Sequence, residues 1–320
     1  MALDKTLQFI VAQAGAAGVP DLADLPLDGA RALYRHILAA SDVAPADVAV
    51  ENETIEGPGG PLSVRIYRSR RESPRGVVVY YHGGGFVLGD LDGYDNVCRC
   101  LCDDSGATVV SVDYRLAPEH PYPAAVDDAW AGLQWAAARL ATLAPGGGGL
   151  AVAGDSAGAL LATVVCLLAR EHKGPAVVFQ GLVYPPAAAG TLGEFASRTT
   201  YAGGPTLTAR SIEFFNRHYF GSDHPPRDAS AAPFFANDLS GLPPALLQVA
   251  TYDPLRDEAL AYGERLREAG NDVMVVEYHG LAHGFISMGG AIRAARLAQL
   301  QLGQALRGAL ASISTMPIPS

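Results

Sequence analysis

The sequence is short of cysteine, of charge and of long hydrophobic runs. Four of its 320 residues are cysteine and 18% are charged. The longest mainly apolar run covers residues 157–169, which is 13 residues, whereas a helix needs about 18 or more apolar residues to cross a membrane. We therefore expect no membrane span, and the run is typical of a buried helix.

An excess of positive charge is also missing. The chain has 23 Lys and Arg against 33 Asp and Glu, a net charge of −10, and its densest basic stretch, residues 68–75, lies beside a Ser/Pro segment. Binding to nucleic acid requires clustered Lys and Arg, so we expect no nucleic-acid partner. Because 49% of the residues are hydrophobic, the chain is not intrinsically disordered.

The few cysteines indicate neither a metal site nor a disulfide framework. Three of them alternate within residues 98–102 of a predicted helix, where residues two apart face away from each other and cannot share a metal. Together with Cys166 they are typical of small apolar fillers in a reducing compartment. We therefore predict no metal and a cytoplasmic location.

The N-terminus is predicted to be helical. Leu3, Leu7, Ile10 and Ala14 follow spacings of four, three and four residues, which places them on one face of a helix. Asp4 cancels the charge of Lys5, whereas a secretory signal begins with a positive segment. The pattern favours an amphipathic helix over a secretory signal, in agreement with a cytoplasmic location.

Short apolar runs alternate with longer helical patterns between about residues 49 and 280. Predicted strands are 49–56, 62–68, 76–82, 107–112, 150–154, 177–183, 245–250 and 273–278. Predicted helices are 93–104, 124–141, 157–171, 208–219, 255–269 and 290–309. Several strands are continuously apolar, as in parallel sheets buried on both faces. The alternation predicts an α/β fold, and two stretches outside it, 1–45 and 186–206, are expected to form a cap over the carboxyl edge of the sheet.

Residues 154–158 read Gly-Asp-Ser-Ala-Gly and match the pattern G-x-S-x-G. They follow a predicted apolar strand and open the apolar helix that starts at Ala157, which is the strand–turn–helix setting of a nucleophile elbow. A side chain at either glycine would collide with the strand or the helix in so tight a turn. We expect a strained backbone at Ser156, with its hydroxyl at the sheet edge. Asp155 is expected to brace the turn.

A second glycine motif, His-Gly-Gly-Gly-Phe at residues 82–86, follows the strand predicted at 76–82. Its glycines allow the backbone to approach a substrate and point N–H groups at it, as in an oxyanion hole. The candidate oxyanion donors are the N–H groups of Gly83, Gly84, Gly85 and Ala157. The motif lacks the Lys-Ser/Thr ending of a phosphate-binding loop. His82 is expected to hold the loop through a structural hydrogen bond.

A serine hydroxyl needs a base, and in elbow enzymes the acid and the histidine follow the serine in that order. Asp253 follows the strand predicted at 245–250, and His283 follows the strand predicted at 273–278. Both lie beyond the carboxyl ends of strands, where open α/β sheets carry their sites. We therefore predict Ser156 as the nucleophile, Asp253 as the acid and His283 as the base.

Two other residues remain as alternatives for these roles. Asp257 lies one turn after Asp253 and is expected to face solvent or to cap the following helix. His279 precedes the loop of His283 and is expected to belong to the strand end. Both therefore rank behind the residues chosen, and a structure is needed to separate them.

These motifs resemble those of the bacterial hormone-sensitive-lipase-like esterases, a branch of the α/β-hydrolase superfamily. The segments that carry the resemblance are Tyr81–Phe86, Asp113–His120, Pro123–Ala125, Gly154–Gly158, Asp238–Pro244, Tyr252–Glu258 and His283–Phe285. They occur in order over about residues 60–290. The sequence departs from the family pattern at Ala159, where glycine is usual, and at residues 186–189, which are apolar where the family often carries a polar or acidic residue.

The resemblance implies an eight-stranded, mostly parallel sheet flanked by helices, with a helical cap, and it implies hydrolysis of carboxylic esters. It carries over the roles of Ser156, Asp253 and His283, with oxyanion donors from the 82–85 loop and Ala157. We expect the catalytic domain to comprise residues 46–185 and 207–320, and the cap to comprise 1–45 and 186–206. No cofactor is expected, and a homodimer is one expected state.

Three hypotheses for the function follow. The first is a serine carboxylesterase that acts on small, short- to medium-chain esters through an acyl-enzyme. The second is hydrolysis of amides, lactones or formamides by the same residues; an amide has the poorer leaving group. The third is a ligand receptor on a disabled hydrolase fold, against which stands the presence of a complete set of Ser, Asp and His.

Overall fold

Eight strands form one sheet in the computed structural model, which describes residues 2–40, 43–221 and 225–311. The strands are β1 Val48–Gly57, β2 Gly60–Ser69, β3 Val77–Tyr81, β4 Thr108–Val112, β5 Leu150–Asp155, β6 Val177–Val183, β7 Ala245–Tyr252 and β8 Val273–Ala282. Their order in the sheet is β1-β2-β4-β3-β5-β6-β7-β8. Strand β2 is antiparallel to both neighbours, and all pairs from β4 to β8 are parallel. The predicted eight-stranded, mostly parallel sheet is confirmed.

Helices connect these strands and cover the sheet. They are α1 Lys5–Ala16, α2 Leu27–Ala40, α3 Asp95–Ser105, α4 Ala124–Ala138, α5 Leu140–Leu143, α6 Ala157–Glu171, α7 Ala196–Thr200, α8 Ala209–Phe220, α9 Arg256–Glu268 and α10 Arg293–Ala311. None of the helices built from the described residues combines the length and the apolar character needed to span a membrane.

Most boundaries lie within three residues of the sequence prediction, and two differences are more substantial. Strand β8 runs to Ala282 and not to 278, because a register shift allows Ala282 to pair with Tyr252 at the end of β7. The helix predicted at 124–141 is divided into α4 and α5 at Arg139, whose backbone leaves the helical region. The first difference matters for the site, since it brings the end of β8 directly to residue 283.

The alternation of side chains along β3 divides the core between the two faces of the sheet. Val77, Val79 and Tyr81 pack with residues of α4 and α6 on one face, whereas Val78 and Tyr80 pack with residues of α3 and α10 on the other. All four cysteines are buried and take part in no disulfide, which agrees with their interpretation as small apolar fillers. Helices on both faces leave the carboxyl edge of the sheet as the place for a site.

The N-terminal stretch contacts the start of α8, which follows the second stretch that interrupts the alternation. Asp21, in the segment before α2, accepts hydrogen bonds from Thr208 Oγ1 at 2.6 Å and from Ser211 Oγ at 2.9 Å. Thr208 is also the N-cap of α8, since its side chain accepts from the N–H of Ser211 at 3.0 Å. The start of α8 is therefore fixed to the N-terminal segment by short polar contacts.

Arg31 holds helix α2 to the loops that follow β3 and β4. Arg31 donates to the carbonyl oxygens of Val87 at 3.0 Å and Ala117 at 3.1 Å, and it pairs with Glu119 through two hydrogen bonds. An arginine that holds three partners with its rigid fork fixes orientation as well as distance. Helix α2 therefore lies at the carboxyl edge, beside the glycine motif of residues 82–86.

Candidate active site

The turn between β5 and α6 carries Ser156 in a strained conformation. Its φ is +52° and its ψ is −123°, in a region that side chains other than glycine rarely occupy. The N–H of Ser156 donates to the carbonyl oxygen of Val183 at 2.9 Å, which secures the turn against β6. The expected strain at Ser156 is confirmed, and the turn has the geometry of a nucleophile elbow.

Both glycines of the elbow are required by close backbone packing. A Cβ at Gly158 would overlap the carbonyl oxygen of Tyr81 and lie 2.6 Å from that of His82. A Cβ at Gly154 would lie 2.7 Å from the carbonyl oxygen of Tyr81. Real Cβ atoms do not approach backbone this closely, so the start of α6 can rest on the end of β3 because position 158 has no side chain. The predicted collision is confirmed.

Replacing Gly158 by Ala is expected to lower the free energy of unfolding by about 3 kcal/mol or more, because backbone on both sides of the contact must shift. Thermal unfolding followed by circular dichroism measures the effect. Gly15→Ala is the matched control, since position 15 also lies in a helix and a Cβ there meets nothing within 4 Å. Equal melting temperatures for the two variants would contradict the expectation.

The structure brings Ser156, His283 and Asp253 into one chain of hydrogen bonds. His283 Nε2 lies 2.9 Å from Ser156 Oγ, and His283 Nδ1 lies 2.7 Å from Asp253 Oδ2. Asp253 follows β7 directly and His283 follows β8 directly. A carboxylate oxygen accepts, so Nδ1 carries the proton and the lone pair of Nε2 faces the serine hydroxyl. This is the arrangement that activates a serine as a nucleophile.

The surroundings hold Asp253 and His283 in place. Asp253 is fully buried, and its second oxygen, Oδ1, accepts from the N–H of Leu255 at 2.8 Å. The ring of Tyr184 packs on the ring of His283 with 4.3 Å between centroids. Both oxygens of the Asp253 carboxylate are therefore hydrogen-bonded, and the carboxylate is held in one position. Its hydrogen bond to Nδ1 then fixes the orientation of the imidazole.

The two alternative residues lie outside this chain of hydrogen bonds. Asp257 is in the first turn of α9, where it accepts from the N–H of Ser197 at 2.8 Å and pairs with Arg256. His279 lies within β8, its side chain is 58% exposed, and its Nδ1 is 3.2 Å from Thr251 Oγ1. Neither residue contacts Ser156 or His283 among the described hydrogen bonds.

The glycine loop after β3 differs from the sequence prediction in one donor. The N–H of Gly83 donates to Asp155 Oδ1 at 2.9 Å, so it is not free to reach a substrate. Gly83 is thus an anchor of the loop, because a buried carboxylate beside it takes its only donor. The N–H groups of Gly84, Gly85 and Ala157 donate to no described protein group. Gly84 and Gly85 have φ values of +118° and +62°, which glycine adopts without strain.

Asp155 braces the glycine loop together with three tyrosines that the sequence analysis did not single out. Tyr80, Tyr94 and Tyr184 donate to its carboxylate at 2.8, 3.1 and 3.3 Å. Burial raises the pKa of Asp155 to about 6, although the hydrogen bonds and the nearby His283 act in the opposite direction. The bracing role expected of Asp155 is confirmed, with the loop of Gly83 as its partner.

His82 has the structural role that its position indicated. Its Nδ1 lies 2.7 Å from the carbonyl oxygen of Gly83, and its ring stacks on Tyr114 with 4.4 Å between centroids. Burial lowers the pKa of His82 to about 4, so the ring is neutral at physiological pH. A carbonyl oxygen only accepts, and Nδ1 is therefore the protonated nitrogen.

A cavity of about 1010 Å³, its open mouth included, lies over Ser156. Its apolar wall comes mainly from the N-terminal segment and from the segment before and within α8: Leu22, Ile37, Leu38, Leu207, Ile212 and Phe215. Within the described parts of the chain, no Asp, Glu, Lys or Arg side chain lines it. The cavity therefore suits an uncharged and largely apolar ligand.

The residues that form this wall had no motif by which the sequence could identify them. The ring of Phe215 lies directly on Gly85, since a Cβ at Gly85 would overlap that ring. Pro186 and Ala189, from the apolar segment that departs from the family pattern, line the cavity as well. The buried carboxylate of Glu258 accepts from the N–H groups of Ala188 and Gly190 and so fixes this side of the wall.

Comparisons with known proteins agree with the architecture of the fold and site. A family model described as an α/β-hydrolase fold matches residues 78–287. Esterase LipI of Mycobacterium tuberculosis is 44% identical over 84% of this chain and 85% of its own length. Carboxylesterase NlhH of the same species is 42% identical over 81% of this chain and 82% of its own length.

Solved structures give the same result. A hyperthermophilic esterase from Pyrobaculum calidifontis has a TM-score of 0.89 and 41% identity, covering 96% of this chain and 99% of that one. A thermostable esterase from Pseudomonas putida has a TM-score of 0.90 and 33% identity, covering 97% and 98%. The resemblance inferred from the sequence motifs is confirmed. The chain therefore belongs to the α/β-hydrolase family, among the hormone-sensitive-lipase-like esterases.

Proposed function

We propose that this protein is a carboxylic ester hydrolase in which Ser156 is the nucleophile, His283 the general base and acid, and Asp253 the residue that orients His283. The observation that carries the proposal is the pair of hydrogen bonds, 2.9 and 2.7 Å long, that link these three side chains at a strained elbow. The similarity to proteins named esterases supports an ester as the substrate class.

Acylation begins with attack of Ser156 Oγ on the ester carbonyl carbon. His283 Nε2 takes the hydroxyl proton as the new C–O bond forms, and the imidazolium is stabilised by the Asp253 carboxylate at Nδ1. Collapse of the tetrahedral intermediate breaks the bond to the alcohol oxygen, which receives the proton from Nε2. A base positioned in this way contributes about 10²- to 10⁴-fold to the rate.

Deacylation repeats these steps with water. His283 Nε2 takes a proton from water, whose oxygen adds to the acyl carbon, and the proton then returns to Ser156 Oγ as the carboxylic acid leaves. The sum is one ester and one water converted to one acid and one alcohol. The side chains present supply every proton transfer in both halves.

The oxyanion is proposed to bind the N–H groups of Gly84, Gly85 and Ala157. These three N–H groups of the elbow and the glycine loop donate to no described protein group. The N–H of Ala157 also belongs to the first turn of α6, where the helix dipole favours negative charge. Loss of one such donor typically costs about 3 kcal/mol of transition-state stabilisation.

We propose neutral esters with short to medium acyl chains as the substrates. The cavity wall is apolar and carries no Asp, Glu, Lys or Arg among the described residues, so a charged acyl or alcohol group would lose its hydration without gaining a partner. We propose that residues 1–45 and 186–206 form the cap, as the sequence predicted. Since Ile212 and Phe215 also line the cavity, we extend the proposed cap to α8.

Two proposals concern the setting of the enzyme. The four buried free thiols agree with a reducing compartment, and we propose a cytoplasmic location. A homodimer remains a prediction, which light scattering behind size-exclusion chromatography tests directly. Neither proposal affects the chemistry described above.

Labelling with a fluorophosphonate tests the proposed function. Ser156 Oγ should displace fluoride from phosphorus, with its proton taken by His283, and mass spectrometry should find one adduct per chain on the peptide that contains Ser156. A receptor on a disabled hydrolase fold would remain unlabelled. Labelling of another residue, or none, would contradict the assignment of the nucleophile.

Initial rates on matched substrates define the reaction class. We expect p-nitrophenyl esters with acyl chains of two to about eight carbons to be hydrolysed fastest, with rates falling towards sixteen carbons as the chain outgrows the cavity. The corresponding p-nitroanilides and a lactone series serve as comparison. Faster hydrolysis of anilides or lactones than of esters would replace the ester proposal with the second hypothesis.

A further inference from the structure

A hydrogen bond connects the segment before α8 to the backbone of His283. Thr206 Oγ1 donates to the carbonyl oxygen of His283 at 2.7 Å, and Thr206 also lines the cavity over Ser156. The contact is to the main chain and not to the imidazole. Thr206 can therefore affect the reaction through the position of His283 without touching the atoms that react.

The carbonyl oxygen of His283 accepts one described side-chain hydrogen bond, from Thr206, and lies at a turn of the chain. His283 stands between the end of β8 and Gly284, whose φ of +82° turns the chain sharply. The next carbonyl, that of Gly284, is occupied within the loop by Ser287, whose N–H and Oγ both donate to it. Among the described residues, Thr206 is the one whose side chain donates to the His283 carbonyl oxygen. It therefore links the loop after β8 to the segment before α8.

The residues that follow Thr206 are held in place, whereas Thr206 itself is exposed. Two residues after Thr206, the side chain of Thr208 caps α8 and donates to Asp21, and Ser211 donates to the same carboxylate. Leu207, between them, is buried in the cavity wall. These contacts limit the movement of the segment that carries Thr206. The Thr206 hydroxyl can therefore hold the His283 carbonyl oxygen in place.

The same part of the chain contacts the opposite side of the site. Phe215 of α8 lies on Gly85 in the glycine loop, while Thr206 lies at His283. The segment from Thr206 to Phe215 therefore reaches both the proposed oxyanion donors and the proposed base. A change in the position of this segment would therefore alter the distance between the proposed oxyanion donors and the proposed base.

We propose that Thr206 is a positioning residue for His283: its hydroxyl fixes the backbone of the base so that Nε2 stays in line with Ser156 Oγ. The inference rests on the proposed function of His283. Removal of the hydroxyl takes away the described side-chain partner of the part-buried His283 carbonyl oxygen, and the loop can then relax. The shift expected of the imidazole is small, yet about 1 Å of misplacement is enough to lower a rate by about 100-fold.

Thr206→Val tests the proposal, since valine keeps the shape of threonine and lacks the donor. We expect kcat for p-nitrophenyl butyrate to fall by about 10- to 100-fold, while KM changes by less than about threefold. The rate of fluorophosphonate labelling of Ser156 should fall by a similar factor. Thr206→Ser, which restores the hydroxyl, should recover kcat to within about threefold of the wild type.

Thr163→Val makes the same chemical change at a buried site and is the control for general loss of stability. Thr163 Oγ1 forms a buried hydrogen bond of 2.7 Å with the hydroxyl of Tyr262, away from the cavity. Thr163→Val should lower the melting temperature, because it removes a buried hydrogen bond, and it should leave kcat unchanged. If Thr206→Val fails to fold, Thr206→Ala replaces it in the same comparison.

The outcomes separate this proposal from the function on which it rests. A wild-type kcat in Thr206→Val, or an equal loss of kcat in Thr206→Val and Thr206→Ser, overturns the positioning role while the proposed function stands. An equal loss of kcat in Thr163→Val also overturns it, because the effect would then be one of general stability. Failure of wild-type Ser156 to be labelled overturns the proposed function itself.

Discussion

Replacing Ser156 by Ala is expected to lower kcat for p-nitrophenyl butyrate by about 10⁵- to 10⁶-fold. The hydroxyl is the group that His283 Nε2 faces at 2.9 Å, and the acyl-enzyme cannot form without it. Alanine leaves the positive φ of the turn unchanged and removes one small polar atom, so the melting temperature should stay within a few degrees of the wild type. Burst-phase and steady-state kinetics on the purified variant measure the loss.

The control for this prediction is a double substitution. Groups that act as one unit lose their effect together, so His283→Ala combined with Ser156→Ala should be no slower than Ser156→Ala alone. Additive losses would show that His283 assists the reaction independently of Ser156. A Ser156→Ala variant that keeps more than about one hundredth of the wild-type rate would mean that another group attacks the ester.

Each part of the site that the sequence predicted can be recognised within a short stretch of the chain. The elbow is a strand, a tight turn and a helix within about twenty consecutive residues, and the glycines at 154 and 158 reveal its packing. Asp253 and His283 were identified because each comes after a predicted apolar strand, although β7 and β8 both extend beyond their predicted ends. Rules about chain order and sheet edges then bring distant residues together without any knowledge of their contacts.

The parts that the sequence missed depend on contacts between distant segments. Gly83 looked like a donor to substrate, and only the fold shows that Asp155, 72 residues later, takes its N–H. Tyr94 and Tyr184 reach the same carboxylate from two further loops that have no common pattern. Tyrosines are ordinary core residues in a sequence, and a hydroxyl at the end of one becomes significant through its buried partner.

The cavity wall was missed for a similar reason. Residues such as Leu22, Ile212 and Phe215 have the spacing of ordinary amphipathic helices, and a residue that faces a cavity has the same hydrophobic period as one that faces a core. The substrate preference is therefore harder to predict from this sequence than the reaction class. The reaction depends on a few polar groups in fixed order, whereas the preference depends on the shape that apolar side chains leave open.

Replacing Asp253 by Asn is expected to lower kcat by about 10⁴-fold without unfolding the protein. The amide has the same shape, and its oxygen can keep the hydrogen bond from the N–H of Leu255. Its NH₂ group then faces His283 Nδ1, where the native carboxylate accepts a hydrogen bond at 2.7 Å. The imidazole avoids this clash of donors by moving its proton to Nε2, and the nitrogen that should accept the serine proton is then blocked.

Asp257→Asn is the matched control, because it makes the same chemical change one helical turn later. Asp257 contacts Ser197 and Arg256 and has no described contact with His283, so its kcat should stay within about threefold of the wild type. Steady-state rates and melting temperatures of both variants decide the matter. A large loss of kcat in Asp257→Asn with little loss in Asp253→Asn would transfer the role of the acid to Asp257. A large loss in both would mean that the start of α9 supports the site as a unit, and the hydrogen bond at Nδ1 would no longer explain the effect alone.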